Sequence, residues 1–189
     1  MKILHIDSSI SGDASASRDL TAAIVSQLKD AVPDAEVTYR DLVAEPFAHL
    51  TLPAFGEEDS LEALAQFKNA DTVVIGAPMY NFTIPSQLKT WIDRILVAGE
   101  TFRYTETGAA EGLMGSKRVI VAIARGGLYG EDSAQRSVEH AERYLTSALG
   151  FIGIDNPEFV IAEGLKISEE AAAEAMTAAH EKARKVTAA

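Results

Sequence analysis

Five short apolar blocks recur along the chain, at 2–6, 36–39, 72–77, 118–124 and 158–162, and each predicts a strand. Between and after them apolar residues fall three and four apart. That spacing predicts helices at roughly 17–31, 60–69, 86–98, 133–149 and 168–186. The last helix carries its own signals: Ser168 as N-cap, Glu169 and Glu170 in the first turn, and Lys182, Arg184 and Lys185 in the last. VVIGA and VIVAIA are apolar at successive positions, as strands are when helices cover both faces of a parallel sheet.

Strand and helix therefore alternate, which implies an α/β three-layer sandwich with right-handed crossovers. Five parallel strands most simply take the order 2-1-3-4-5 of flavodoxin-like folds. Two connections interrupt the rhythm. One, at 43–60, contains Pro46 and Pro53. The other, GETFRYTETGAAEGLMGS, has strand-like and turn-like pieces, and Phe102 and Tyr104 beside Arg103 predict that it covers another part of the molecule.

Composition narrows the classes. A chain of 189 residues, 47% hydrophobic and 24% charged, is expected to form one globular domain. No run approaches the roughly 18 apolar residues of a membrane span, and MKILHIDSS reads as a first strand, not a signal peptide. There is no cysteine, which excludes disulfide and thiolate chemistry and fits a cytoplasmic address. His5, His49, His140 and His180 lack metal-ligand spacing, so no metal site is expected. A net charge of −11 argues against a nucleic-acid surface and is read as solubility.

In a 2-1-3-4-5 sheet the loops after strands one, three and four converge at the carboxyl edge, where ligands bind. The first, DSSISGDASASR, is crowded with hydroxyls and opens a helix whose N-terminal amides can hold an anion. GxxxxGK[ST] and GxGxxG are both absent, so a lone phosphate suits it better than a triphosphate or a dinucleotide. The same serines also read as ordinary loop residues and caps, Ser17 among them. The second loop, Pro78-Met79-Tyr80-Asn81-Phe82, reads either as irregular core or as a shelf for a flat heterocycle. In the third, Ala124-Arg125-Gly126-Gly127, paired glycines let backbone approach a ligand and Arg125 can project nearby; a flexible turn is the alternative. Together the three loops describe a site for a mononucleotide with a planar ring, with flavin mononucleotide (FMN) the leading candidate in this fold. GxSxG is absent, which leaves little room for a serine hydrolase.

APMYNF with QLK, TFRYT, RGG and LGFIGI, in that order and over nearly the whole chain, resemble the FMN-dependent NADH:azoreductases among the flavodoxin-like NAD(P)H:quinone oxidoreductases. The resemblance implies noncovalent FMN and NADH as electron donor, with quinones and azo compounds as acceptors. It also implies a homodimer with active sites where the subunits meet. Carried onto this chain, Ser9 and Ser15, Ala16 and Ser17 match the phosphate loop; Pro78, Met79, Tyr80, Asn81 and Phe82 the segment beside the ring; and Ala124, Arg125, Gly126 and Gly127 the loop on its other side. Tyr104 and Phe151 match aromatic positions on the substrate side, expected to act across the dimer. The chain differs from the family pattern at Ala16, where a polar residue is usual, at Ala124, usually Ser or Thr, and at Tyr129, often His. A flavodoxin-type electron carrier, an NADPH-dependent FMN reductase and a cofactor-free interaction domain are the alternatives.

Overall fold

In chain order the elements are β1 (Lys2–Asp7), α1 (Ala16–Ala31), β2 (Glu36–Asp41), α2 (Glu58–Asn69), β3 (Thr72–Pro78), α3 (Ser86–Ile95), β4 (Phe102–Tyr104), β5 (Ala110–Gly112), β6 (Arg118–Ala124), α4 (Ala141–Phe151), β7 (Glu158–Ala162) and α5 (Glu169–Arg184). They come from a computed structural model that describes residues 1–187. The apolar blocks form a five-stranded parallel sheet in the order β2-β1-β3-β6-β7. With the β4–β5 hairpin set aside, this is the expected 2-1-3-4-5 order.

Alternation along β3 shows why both sides of the sheet are covered. Val73, Ile75 and Ala77 enter one apolar cluster with Phe67, Trp91 and Leu145 of α2, α3 and α4. Val74 enters the other, with Leu20, Ile24, Leu28, Ala179 and Ala183 of α1 and α5. Each large side chain fully buried this way contributes about 1.5–3 kcal/mol. Phe67 meets Trp91 edge to face, with ring centroids 5.9 Å apart.

Three helix ends differ from expectation, each for a local reason. α4 begins at Ala141, not near 133, because the buried Glu139 carboxylate accepts the N–H groups of Ala141, Glu142 and Arg143 and so caps it there. The preceding residues form only a short turn, Arg136–Val138. α3 stops at Ile95, where the Thr101 hydroxyl donates to the Ile95 carbonyl at 2.7 Å and accepts from Val97 N–H at 3.0 Å. In α1 the N-cap is Ser15, not Ser17, its hydroxyl accepting from Arg18 N–H.

The 99–116 connection folds into the β4–β5 hairpin, which covers the end of α4. Phe102 packs on Phe151 with centroids 4.6 Å apart. A Cβ at Gly112 would fall 2.1 Å from the Gly153 nitrogen, so only glycine permits this contact. The 43–60 connection is fastened by the buried Arg94, which donates to the Ala48 carbonyl and stacks 4.5 Å from the Phe47 ring. Among the described residues no helix is long and apolar enough to cross a membrane.

Candidate functional site

β1, β3 and β6 end side by side, and their loops are built onto one another. Leaving β1, the Ser8 hydroxyl donates to the Gly76 carbonyl of β3 at 2.6 Å. Ser9 shares a hydroxyl–hydroxyl bond of 3.1 Å with Tyr80, whose oxygen also accepts from Ile10 N–H. The Ser15 and Ser17 hydroxyls lie 3.1 Å apart. At the start of α1, neither the Ala16 nor the Ser17 N–H meets an acceptor among the described residues. Two free amides at a helix N-terminus form an anion site.

Arg18 secures this loop from behind. Its guanidinium forks onto Asp41 with both contacts at 2.8 Å, and it donates to the Ser9 carbonyl through Nε and Nη2. The hydrogen bond from Arg18 holds the Asp41 carboxyl below its ordinary range, reinforced by Val43 N–H. Burial, with Asp7 and Asp41 nearby, pushes the Tyr39 phenol up to about 12. Tyr39 therefore remains a donor to the buried Asp7, which also accepts from Thr21.

The shelf grows directly from β3. Met79 N–H donates to the Ala124 carbonyl at 2.8 Å, extending the β3–β6 pairing past Pro78. Tyr80 and Thr83 then exchange backbone bonds around Asn81 and Phe82, with φ of 46° and 73°. Two successive positive φ values make this a tight hairpin turn, a conformation side-chain-bearing residues enter at a cost. The Phe82 carbonyl accepts from His140 N–H, which pins the turn to the start of α4.

On the far side, residues 125–127 pair with the segment after β7. Arg125 N–H donates to the Ala162 carbonyl, and Gly126 and Gly127 carbonyls accept from Lys166 and Gly164. The Arg125 side chain is 1% exposed and meets Glu142 at 2.5 Å, Glu139 at 3.2 Å and Glu163 at 3.4 Å. The expectation that Arg125 projects beside the ligand is thereby corrected: its charge is committed to carboxylates, and its residue serves the cleft as wall. Burial works against the charged Glu142, but the hydrogen bonds from Arg125 and Arg136 outweigh it and hold that carboxyl low.

Between these loops lies a cleft of about 430 Å³ lined by Ser9, Ser15 and Ala16 at one end, Pro78, Met79 and Tyr80 along one wall, and Ala124, Arg125 and Gly126 along the other. Past Tyr80 a second hollow of about 610 Å³ shares Met79 and Tyr80 and adds Ile10, Asn81 and Ile84. Ser17 is fully buried behind Ser15 and does not line the cleft, and Gly127 faces the Tyr129 ring, 3.2 Å from where a Cβ would stand. Phe82 (50% exposed), Tyr104 (64%) and Phe151 (37%) line neither hollow. Sequence reasoning did not reach Leu165, Lys166, Ala172 and Met176, which close the cleft from the β7 loop and α5. A lysine between the apolar Leu165 and Ile167 was the available signal.

An open α/β sandwich with free helix-N-terminal amides and a wall of Pro78, Met79 and Tyr80 at its carboxyl edge has the site architecture of the doubly wound nucleotide-binding proteins. More narrowly, residues 1–187 match the family model described as flavodoxin-like fold, and the chain belongs to that family. It is 54% identical to a protein of Xanthomonas campestris pv. campestris named FMN-dependent NADH:quinone oxidoreductase, over 95% of this chain and 96% of the relative. It is 53% identical, over 95% and 97%, to FMN-dependent NADH:quinone oxidoreductase 2 of Bradyrhizobium diazoefficiens. Among solved structures it superposes on azoreductase AzrA with a TM-score of 0.89 at 32% identity, covering 98% of each chain. An FMN-dependent NADH-azoreductase of Bacillus anthracis in complex with FMN gives 0.84 at 28% identity, covering 99% of each.

Proposed function

We propose that this chain is an FMN-dependent NADH:quinone oxidoreductase that also reduces azo compounds. The observation that carries the reading is one continuous cleft with unpaired helix amides at one end and the Pro78–Tyr80 wall at the other. Its size, its free amide donors and the absence of a carboxylate among its lining residues fit a phosphate-bearing flavin. FMN bound there would supply the redox chemistry of a two-electron exchange between NADH and a quinone or, over two turnovers, a four-electron one with an azo bond.

The chain's own residues bind and orient. The Ala16 amide and the Ser15 hydroxyl, which line the cleft, hold the phosphate. Pro78, Met79 and Tyr80 support the ring on one side, and Ala124 to Gly126 approach it as backbone. The Tyr80 hydroxyl, bonded to Ser9, ties the ring wall to the phosphate loop. NADH and the acceptor would use the same aromatic slot in turn, and no side chain is required as a nucleophile. Stacking selects flatness, with offset aromatic pairs contributing roughly 0.5–1.5 kcal/mol beyond burial, which suits a broad range of acceptors.

The exposed Tyr104, Phe151 and Phe82 support a homodimer in which a second copy completes the substrate side, since within one chain they line neither of the two hollows at the carboxyl edge. A cytoplasmic site of action, where NADH is available, goes with this reading. The test is NADH oxidation by FMN-loaded protein with quinones and azo dyes, alongside NADPH and free flavin. Turnover with NADH and quinone is expected; none would leave an electron carrier, which the relatives' names do not favour. Sedimentation should give a dimer, and Tyr104→Ala should alter acceptor KM more than flavin affinity.

A further inference from the structure

We propose that Lys166 supplies the formal positive charge for the phosphate end of the cleft, an assignment that rests on the FMN reading above. A flavin phosphate is anionic, and the protein it enters carries a net charge of −11. The serine loop answers it only with neutral donors. Position 16 is alanine, and the Ser15 hydroxyl, a neutral donor, also pairs with Ser17 and accepts from Arg18 N–H. Nearby guanidiniums are consumed: Arg18 by Asp41, and Arg125 by Glu139, Glu142 and Glu163.

Of the described residues lining the cleft, Arg125 and Lys166 are the only cations. Lys166 forms no ion pair among the described residues, and its backbone is fixed by an N–H donated to the Gly126 carbonyl at 2.9 Å. Its stem crosses Gly126, with Cγ 3.1 Å from where a Cβ on that glycine would stand. A glycine at 126 therefore makes room for the lysine as well as for a ligand. Four methylene groups beyond that anchor let the ammonium range over the cleft that Ser15 and Ala16 close. Part of the charge attraction that brings an anionic cofactor to this acidic protein then comes from the β7 loop, not from the phosphate loop.

The test titrates the full-length chain with FMN and with riboflavin, which lacks the phosphate, at low and high salt. Lys166→Met should weaken FMN about tenfold, the scale of one charge-assisted hydrogen bond, and flatten the salt dependence. Riboflavin affinity should stay within about twofold, a change below one such bond. Lys166→Arg should restore most of the FMN affinity. An equal loss for both flavins would overturn the proposal, because Lys166 would then act on the ring or the fold. Unchanged FMN affinity in Lys166→Met would overturn it as well. If the unaltered chain binds riboflavin as tightly as FMN, the phosphate assignment of the serine loop falls first, a result distinct from either.

Discussion

Two loops flank the cleft, and each is organised by an arginine whose guanidinium is committed to carboxylates. Arg18 sits behind the serine loop, partly exposed, with one bidentate carboxylate and the Ser9 carbonyl as partners. Arg125 sits under the glycine loop, 1% exposed, among three carboxylates of which Glu139 is fully buried. The contrast separates two uses of one side chain. Arg18 shapes a loop that remains near solvent, so its worth is local. Arg125 offsets charge where water cannot, and it joins β6, α4 and the segment after β7 into one body. A buried charge without its partner costs far more than an exposed pair contributes.

Arg125→Met should therefore show the largest effect, a loss on the order of 3–5 kcal/mol, because it strands Glu139 in the interior. Urea denaturation measures it, and an unchanged midpoint would erase the contrast. Arg18→Met should cost less, about 1.5–3 kcal/mol for hydrogen bonds to a charged group, with the loss of order confined to residues 9–15. Hydrogen exchange would show amides of that loop opening while those of α4 stay protected, and FMN affinity should fall with it.

Acid sharpens the comparison further. Asp41 and Glu142 both have depressed carboxyls, so the stability they add is fully present above the ordinary carboxylate range near about 4 and is lost as pH falls through their lowered values. The melting temperature of the unaltered chain should drop between about pH 5 and pH 3, and each arginine variant should show a shallower drop. Gly126→Ala should be the mildest change, within about 0.5 kcal/mol in stability, since the added methyl meets only the movable Lys166 stem. A modest loss of flavin affinity at unchanged melting temperature is its expected signature.

The fold was legible because its signal is periodic. Strands 72–78 and 118–124 read correctly to within a residue, since a strand buried on both faces must be apolar throughout. Element ends were less legible. The start of α4 depends on Glu139, a residue whose capping role requires burial against Arg125, and no local pattern announces that. At the site, Pro78 to Tyr80 could be placed from loop order alone. What residues 81 and 82 do could not, because their positive φ values follow from Tyr80 pairing with Thr83.

By itself, then, the order of residues determined the layering, the strand sequence and which loops meet at the carboxyl edge, all consequences of short-range periodicity and chain connectivity. Only the tertiary structure decided where each charge is spent. Arg125 reads as a ligand-facing cation beside two glycines, yet three glutamates 14, 17 and 38 residues away claim it. Lys166 is marked by no motif, yet among the described residues lining the cleft it is the cation without an ion pair. Electrostatic pairing depends on distance in space and on exclusion of water, and neither is written in the local sequence.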